Sequence, residues 1–364
     1  MRVAVIGARP GPIGGTTILV EQLIRGLKAA GVQVFAVDLA RTTAMGVARI
    51  LWTLAVLISL VRAFLRCDVV SIHVSVGGFQ VLLPLVVALS RVLRTPLLVR
   101  YFGGDVRDAY RNFPPWLRSA LVRVCYRHAT FLGETREVVE HFRAHGAICY
   151  QYLNTRPEPA FDPPVVEAHP GGEVLRKGRY VFVSQLKRAK GVLEAVQAAE
   201  QGEGFELDVY GPADWDVSEQ ELRHRRNVCY RGVAPLGKSQ EIISQYDALV
   251  FPSYYPGESY AGVIVESYSV GRPVVASRWQ ALPELVRHGE TGLLVPPGDV
   301  RALRTALEML AKNRDIMAKL GANARQFFVR YLRSDVAMER FVDICRSAAE
   351  RRDRFVRPDV LDLP

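Results

Sequence analysis

The chain has 364 residues, more than a single hydrophobic core usually accommodates, so two domains are expected. Hydrophobic residues make up 49% and charged residues 23%, a composition that excludes wholesale disorder, low complexity and a fibrous repeat. A formal net charge of +10 favours anionic partners; no RNA-binding or zinc-finger signature accompanies the arginines, so nucleic acid is not expected among them.

The five cysteines, Cys67, Cys125, Cys149, Cys229 and Cys345, are widely spaced, odd in number and form no CxxC. That pattern argues against a disulfide framework or a zinc site and for a reducing compartment. The opening MRVAVIG reads as a buried strand and lacks the charged head, apolar centre and cleavage site of a signal peptide. A cytoplasmic protein is expected.

In chain order, RVAVIG is a continuous apolar strand, ARPGPIGG a Gly/Pro loop, and TTILVEQLIRGLKAAG a helix with apolar residues at helical spacing and Gly31 as its stop. VQVFAVD is the next strand. Residues 50–61 are uncharged between Arg49 and Arg62; this falls short of the ~20 residues a spanning helix needs, and a core helix is expected. CDVVSI and PLLVRY are further short strands. Residues 74–90 are uncharged too, but Gly77, Gly78 and Pro84 interrupt them, giving strand, loop and helix. Arginines flank these apolar helices, which leaves open a shallow peripheral contact with an anionic membrane at its inner face.

Residues 155–178 hold five prolines and several charges and read as an interdomain linker. The alternation then restarts: strands RYVFVS, FELDVYG, NVCYRG, DALVFPS, PVVAS and TGLLVP, with helices between them and a last long helix opened by Asp299. Strands alternating with helices imply parallel sheets and right-handed crossovers. The expected class is α/β, with two Rossmann-like doubly wound domains facing across a cleft where ligands sit at the carboxyl ends of the strands. The expected boundaries are 1–165, 175–335, and 336–364 as C-terminal helices packing back on the first domain.

Three stretches carry chemistry. Gly14 and Gly15 lie in the first strand-to-helix loop, where glycines let backbone approach a ligand and helix-start amides favour an anion. The stretch Ser184-Gln185-Leu186-Lys187-Arg188-Ala189-Lys190-Gly191 puts three cations between a strand end and a helix start, a combination that suits a diphosphate. In Glu258-Ser259-Tyr260-Ala261-Gly262-Val263-Ile264-Val265-Glu266, two carboxylates flank a small-residue junction, and the second falls in the first turns of a helix. Asp214-Trp215-Asp216 spells a DxD, a short pattern that can hold a metal; it follows Gly211-Pro212 and reads as a turn, and no metal is expected.

SQLKRAKGV, DVYGPAD, DALVFPSYYPGESYAGVIVESYSVGRPVVAS, PELV and GETGLLVPPGD occur in one order over residues 180–310. This series resembles the C-terminal domain of the retaining GT-B glycosyltransferases of family 4, the glycosyl transferase group 1 type. The first half resembles their acceptor domain through its IGG loop, CDVVSIH and RYFGGD.

The resemblance implies a metal-independent, hexosyltransferase-type enzyme that retains anomeric configuration. It would need no cofactor beyond the nucleotide-diphosphate sugar, of UDP or GDP type, as co-substrate. Glu258 matches the glutamate that faces the donor sugar and Glu266 the one that holds the ribose. Ala261, Gly262 and Val263 match the segment whose amides meet donor phosphate and sugar. Lys190 matches the lysine that neutralises the diphosphate, so Lys190 and Glu258 are the candidate catalytic pair. The family's GR appears as Ser184-Gln185, which leaves Gln185 and Arg188 as candidate donor contacts. Gly14 and Gly15 match the glycine loop on the donor side, and Asp105 and His73 lie on the acceptor side. Arg100-Tyr101-Phe102-Gly103 stands where the family often has a histidine-glycine pair. A glycan or lipid-linked acceptor in polysaccharide or lipid-linked glycan assembly is expected. Two other readings stay open: an NAD-dependent oxidoreductase with two Rossmann-like domains, and a non-catalytic binding protein on the same fold.

Overall fold

The computed structural model describes residues 1–9, 15–40, 46–103, 106–164 and 177–350. The chain divides into two compact units: Met1–Leu153 with Asp335–Pro364, and Asn154–Ser334. Each carries one six-stranded sheet, and every strand pairing is parallel.

In the first unit the strands are β1 (Arg2–Gly7), β2 (Gln33–Asp38), β3 (Val69–Val74), β4 (Leu97–Tyr101), β5 (Thr130–Gly133) and β6 (Ile148–Gln151), in the order β2-β1-β3-β4-β5-β6. The runs VVSIHV of β3 and LLVRY of β4 are buried along their whole length, as strands covered on both faces must be. The helices are α1 (Gly15–Ala29), α2 (Val47–Arg66), α3 (Val76–Leu93), α4 (Val106–Arg111), α5 (Pro115–Ala120) and α6 (Arg136–Ala144). Right-handed crossovers send the helix that steps from β1 to β2 to one face, and those stepping the opposite way to the other. The cores divide accordingly. Leu60, Phe64, Leu83, Val87 and Phe142 of α2, α3 and α6 share one cluster. Leu19, Leu23 and Leu27 of α1 share another with Phe341 and Cys345 of the last helix.

Helix α2 departs from expectation. The run 50–61, read from sequence as a core helix, lies in a 20-residue helix of which only Leu60, Ala63 and Phe64 are buried. Val47, Ile50, Leu54, Leu57, Ile58 and Val61 are 40–72% exposed. A helix resting on a sheet buries one stripe, so an apolar run that encircles it leaves the outer half uncovered. By length and composition alone α2 could cross a membrane. The stretch 74–90 passes from β3 into α3, which holds Pro84 inside the helix.

In the second unit the strands are β7 (Gly178–Val183), β8 (Phe205–Tyr210), β9 (Val228–Tyr230), β10 (Ala248–Phe251), β11 (Val274–Ser277) and β12 (Gly292–Val295), in the order β12-β11-β10-β7-β8-β9. The helices are α7 (Val192–Gln201), α8 (Ser239–Ser244), α9 (Gly262–Ser269), α10 (Leu282–Leu285), α11 (Val300–Lys312) and α12 (Arg314–Phe327), after which α13 (Ser334–Ala349) joins the first unit's core. Asp299 caps α11 as expected, its carboxylate accepting from the Ala302 amide at 2.9 Å. The chain runs outward from β7 through β8 and β9, then returns to β10 on β7's other side and continues to β12. That reversal opens a crevice at the carboxyl ends of β7 and β10, where ligands of doubly wound sheets bind.

Residues 154–164, assigned from sequence to the first domain, belong to the second unit. The reason is a set of long-range bonds: Asn154 Nδ2 donates to the Tyr260 carbonyl at 2.8 Å, Arg156 pairs with Glu266, and Arg272 donates to the Pro164 carbonyl at 2.7 Å.

Candidate functional site

The crevice of the second unit is built from the loops that leave β7 and β10. After β7 the chain forms a 3₁₀ turn, Arg188–Lys190, and passes through Gly191 at φ 74° into α7. A Cβ on Gly191 would lie 2.2 Å from the Pro252 carbonyl oxygen, so the two loops touch backbone to backbone and only glycine fits. The Tyr254 amide donates to the Ala189 carbonyl at 2.8 Å and clamps the loops further.

The clamp brings Lys190 and Glu258 together across 68 residues of sequence. Lys190 Nζ stands 2.8 Å from Glu258 Oε2, with side chains only 16% and 8% exposed. The ammonium also lies 4.6 Å from the centroid of the Tyr255 ring, on its face. The Ser253 hydroxyl donates to the same carboxylate oxygen. A buried carboxylate is thus held by one cation and one hydroxyl, with its lysine at the mouth of the switch point.

Helix α9 starts four residues beyond Glu258, at Gly262, with Ala261 as its N-cap residue. Ala261 is buried and Val263 half-buried. The first-turn amides of a helix have no partner within it, and its dipole favours an anion there. Glu266, one turn on, pairs through Oε1 with Arg156 Nε at 2.7 Å. Arg156 Nη1 also donates to Asn154 Oδ1 at 2.7 Å and to the Thr155 carbonyl at 3.0 Å. A Cβ on Gly262 would meet Arg156 Nη2 at 1.9 Å, so one end of the guanidinium is pressed against the start of α9, where only glycine leaves it room. Two ion pairs therefore flank one helix start: Lys190 with Glu258, and Arg156 with Glu266. Chemically, such a start accepts a diphosphate, and the carboxylates accept hydrogen bonds from sugar hydroxyls.

Asn154, Arg156 and Ser253 were not among the sequence candidates. Arg156 and Asn154 reach their partners from 110 and 106 residues away, and no local spacing signals such a contact. Gln185 is exposed at the end of β7. Arg188, a candidate donor contact, is drawn elsewhere: its Nε donates to the Asp216 carbonyl at 3.1 Å and its guanidinium pairs with Glu221 at 3.3 Å. Lys187 pairs with Asp214 at 3.1 Å. Asp214-Trp215-Asp216 is a turn closed by the bridge between Asp214 and Val217. The Asp214 carboxylate is held by Lys187 and the Trp215 amide, and Asp216 Oδ2 accepts from the Arg188 amide. No group of three or more His, Cys, Asp or Glu fit to hold a metal occurs among the described residues.

In the first unit, Gly15 opens α1, whereas Gly14 and Asp105 lie outside the described residues. His73 sits near the end of β3, buried, with Nε2 3.1 Å from the Ser71 hydroxyl. Burial first, and the Arg100 charge second, push its pKa down to about 3. His141 on α6 is pushed down to about 4 by burial, then by His145 and Arg107. Both imidazoles are neutral in the folded chain and charge in the unfolded chain below pH about 6.5. Between that pH and about 4 the unfolded state binds more protons, so stability falls as pH falls. The melting temperature should drop steadily from pH 7 to 5, and His141→Gln should flatten that slope; an unchanged slope would remove His141 from the account.

Two six-stranded parallel sheets, each with its surrounding helices, give the chain the GT-B fold of glycosyltransferase structures. Residues 177–313 match the family model of the glycosyl transferases group 1, a segment that contains Lys190, Glu258 and Glu266. A phosphatidyl-myo-inositol mannosyltransferase of Mycobacterium leprae is 31% identical over 164 residues, 45% of this chain and 41% of that protein. An exopolysaccharide phosphotransferase of Streptomyces coelicolor is 32% identical over 122 residues, 32% of this chain and 13% of that protein. The matches span less than half the length of these curated relatives. Anabaena HepE in complex with UDP superposes with a TM-score of 0.71 at 18% identity, covering 95% of this chain and 100% of that one.

Proposed function

We propose that the protein is a retaining, metal-independent glycosyltransferase of the hexosyltransferase type. It moves a sugar from a UDP- or GDP-type donor to a hydroxyl of a glycan or lipid-linked acceptor on the cytoplasmic side, in polysaccharide or lipid-linked glycan assembly. The observation that carries this reading is the Lys190–Glu258 pair, seated at the switch point of the second sheet beside the start of α9. It lies inside the segment that matches the glycosyl transferases group 1. The names of similar proteins support the donor class: Anabaena HepE has been captured with UDP and with UDP-glucose.

In the proposed reaction the acceptor oxygen bonds to the anomeric carbon as the bond from that carbon to the diphosphate breaks. The acceptor's proton passes to the leaving phosphate on the same face, and a nucleoside diphosphate departs. Negative charge grows on the diphosphate, where Lys190 and the α9 amides would meet it. Glu258 orients the sugar.

A ligand that binds only the folded chain stabilises it by about 2.7 kcal/mol at a hundredfold excess over its Kd. UDP or GDP should accordingly raise the melting temperature by several degrees, and one sugar nucleotide should turn over with a membrane or glycan extract. Stabilisation by NAD alone would replace this reading with an oxidoreductase. Nucleotide binding without transfer or hydrolysis of any donor would leave a binding protein.

A further inference from the structure

The exposed apolar residues of α2 at positions 47, 50, 54, 57, 61 and 65 recur every three or four residues, which is one face of a helix. At 1.5 Å per residue that stripe runs about 27 Å. A continuous apolar surface of this kind marks an interaction site. Its electrostatic frame is one-sided. Helix α2 contains no acidic residue, and Arg49, Arg62 and Arg66 stand near the two ends of the stripe. Between residues 39 and 104 the sequence has seven arginines and one acid, Asp68. Residues 1–153 hold 18 basic and 8 acidic residues, which accounts for the whole formal charge of +10.

We propose that α2 docks the first unit on an anionic lipid bilayer, lying in the plane of the interface. Three observations favour this occupant. The stripe with its flanking arginines matches a helix whose apolar side enters the acyl boundary while cations meet lipid phosphates. The opposite side of the helix, through Leu60, Ala63 and Phe64, is fixed in the sheet's core, so α2 cannot turn end-on and span without dismantling the unit. A second copy fits poorly, because stripe-to-stripe pairing in either direction sets arginine against arginine with no acid in either helix to answer them.

The test floats the full chain with vesicles, with no nucleotide present, so its outcome is separate from that of the transferase reading. Vesicles of phosphatidylglycerol and phosphatidylcholine should carry the protein upward, and phosphatidylcholine alone should carry at least about tenfold less. Leu54→Glu with Ile58→Glu should cut binding to the anionic vesicles at least about tenfold, and Arg62→Gln with Arg66→Gln should weaken it about fivefold per arginine. These four residues are exposed, so the melting temperature should hold; if it falls, Leu54→Ser serves in their place. Undiminished flotation of the glutamate variant overturns the proposal, as does equal binding to neutral and anionic vesicles. A dimer in light scattering that the same variant dissociates, without vesicle binding by the parent, assigns the face to a second copy and also overturns it.

Discussion

Replacing Lys190 by alanine is expected to lower sugar-transfer turnover by about 100- to 1,000-fold, the range for removing one preorganised group that stabilises developing charge. The same change should destabilise the second unit by about 3 kcal/mol, the low end for breaking a buried ion pair, since it leaves Glu258 with the Ser253 hydroxyl as its remaining partner in the crevice. At about 2–4 °C per kcal/mol for a unit of this size, the melting temperature should fall by about 6–12 °C. The two effects separate in a double variant. Lys190→Met with Glu258→Gln removes both charges, so most of the lost stability should return while turnover stays low. If Lys190→Ala retains turnover within about threefold of the parent, the lysine does not act on the leaving group.

Replacing Arg156 by alanine is expected to cost about 2–3 kcal/mol and to weaken nucleoside diphosphate binding about tenfold. Arg156 is nearly buried and serves three acceptors: Glu266 Oε1, Asn154 Oδ1 and the Thr155 carbonyl. Its loss strands a carboxylate whose side chain is 18% exposed and frees the guanidinium's seat against Gly262. Lysine at this position keeps the charge and loses the fork, so Arg156→Lys should recover part of the stability and little of the affinity. Isothermal titration with UDP and GDP, alongside melting curves, reads both. Affinity unchanged in Arg156→Ala would mean that Glu266 needs no orientation by this arginine.

Much of the fold is legible in the sequence because buried parallel strands are short apolar runs bounded by turn residues. VAVI in β1, VVAS in β11 and the apolar heart of FELDVY in β8 read at once. β5 and β6 do not: TFLG and ICYQ are four residues each, too short to show a period. Helix α2 is legible as a helix, but which side of it meets the sheet depends on neighbours far along the chain, and its apolar run alone points to burial that the fold does not supply. In the site, Lys190 and Glu258 carry local signals, a cationic turn after a strand and a carboxylate before a small-residue helix start. Arg156 carries none. It follows a strand and precedes prolines, and its meaning appears only when the chain has folded back on Glu266. Arg188 misleads for the opposite reason, since a cation beside Lys190 in sequence is claimed in space by the Asp216–Glu221 loop.

The chain enters and leaves the second unit at adjoining points. The Arg156 amide donates to the Leu332 carbonyl at 3.0 Å, and the Ser334 amide donates to the Arg156 carbonyl at 2.9 Å. A module whose two ends are stitched side by side can be lifted out, closed by a short linker or given new termini without pulling its sheet apart. The same arginine that fastens those ends also holds the carboxylate of α9. The portable piece therefore takes the Arg156–Glu266 pair with it, and a cut drawn a few residues later than Asn154 would leave that pair's arginine behind.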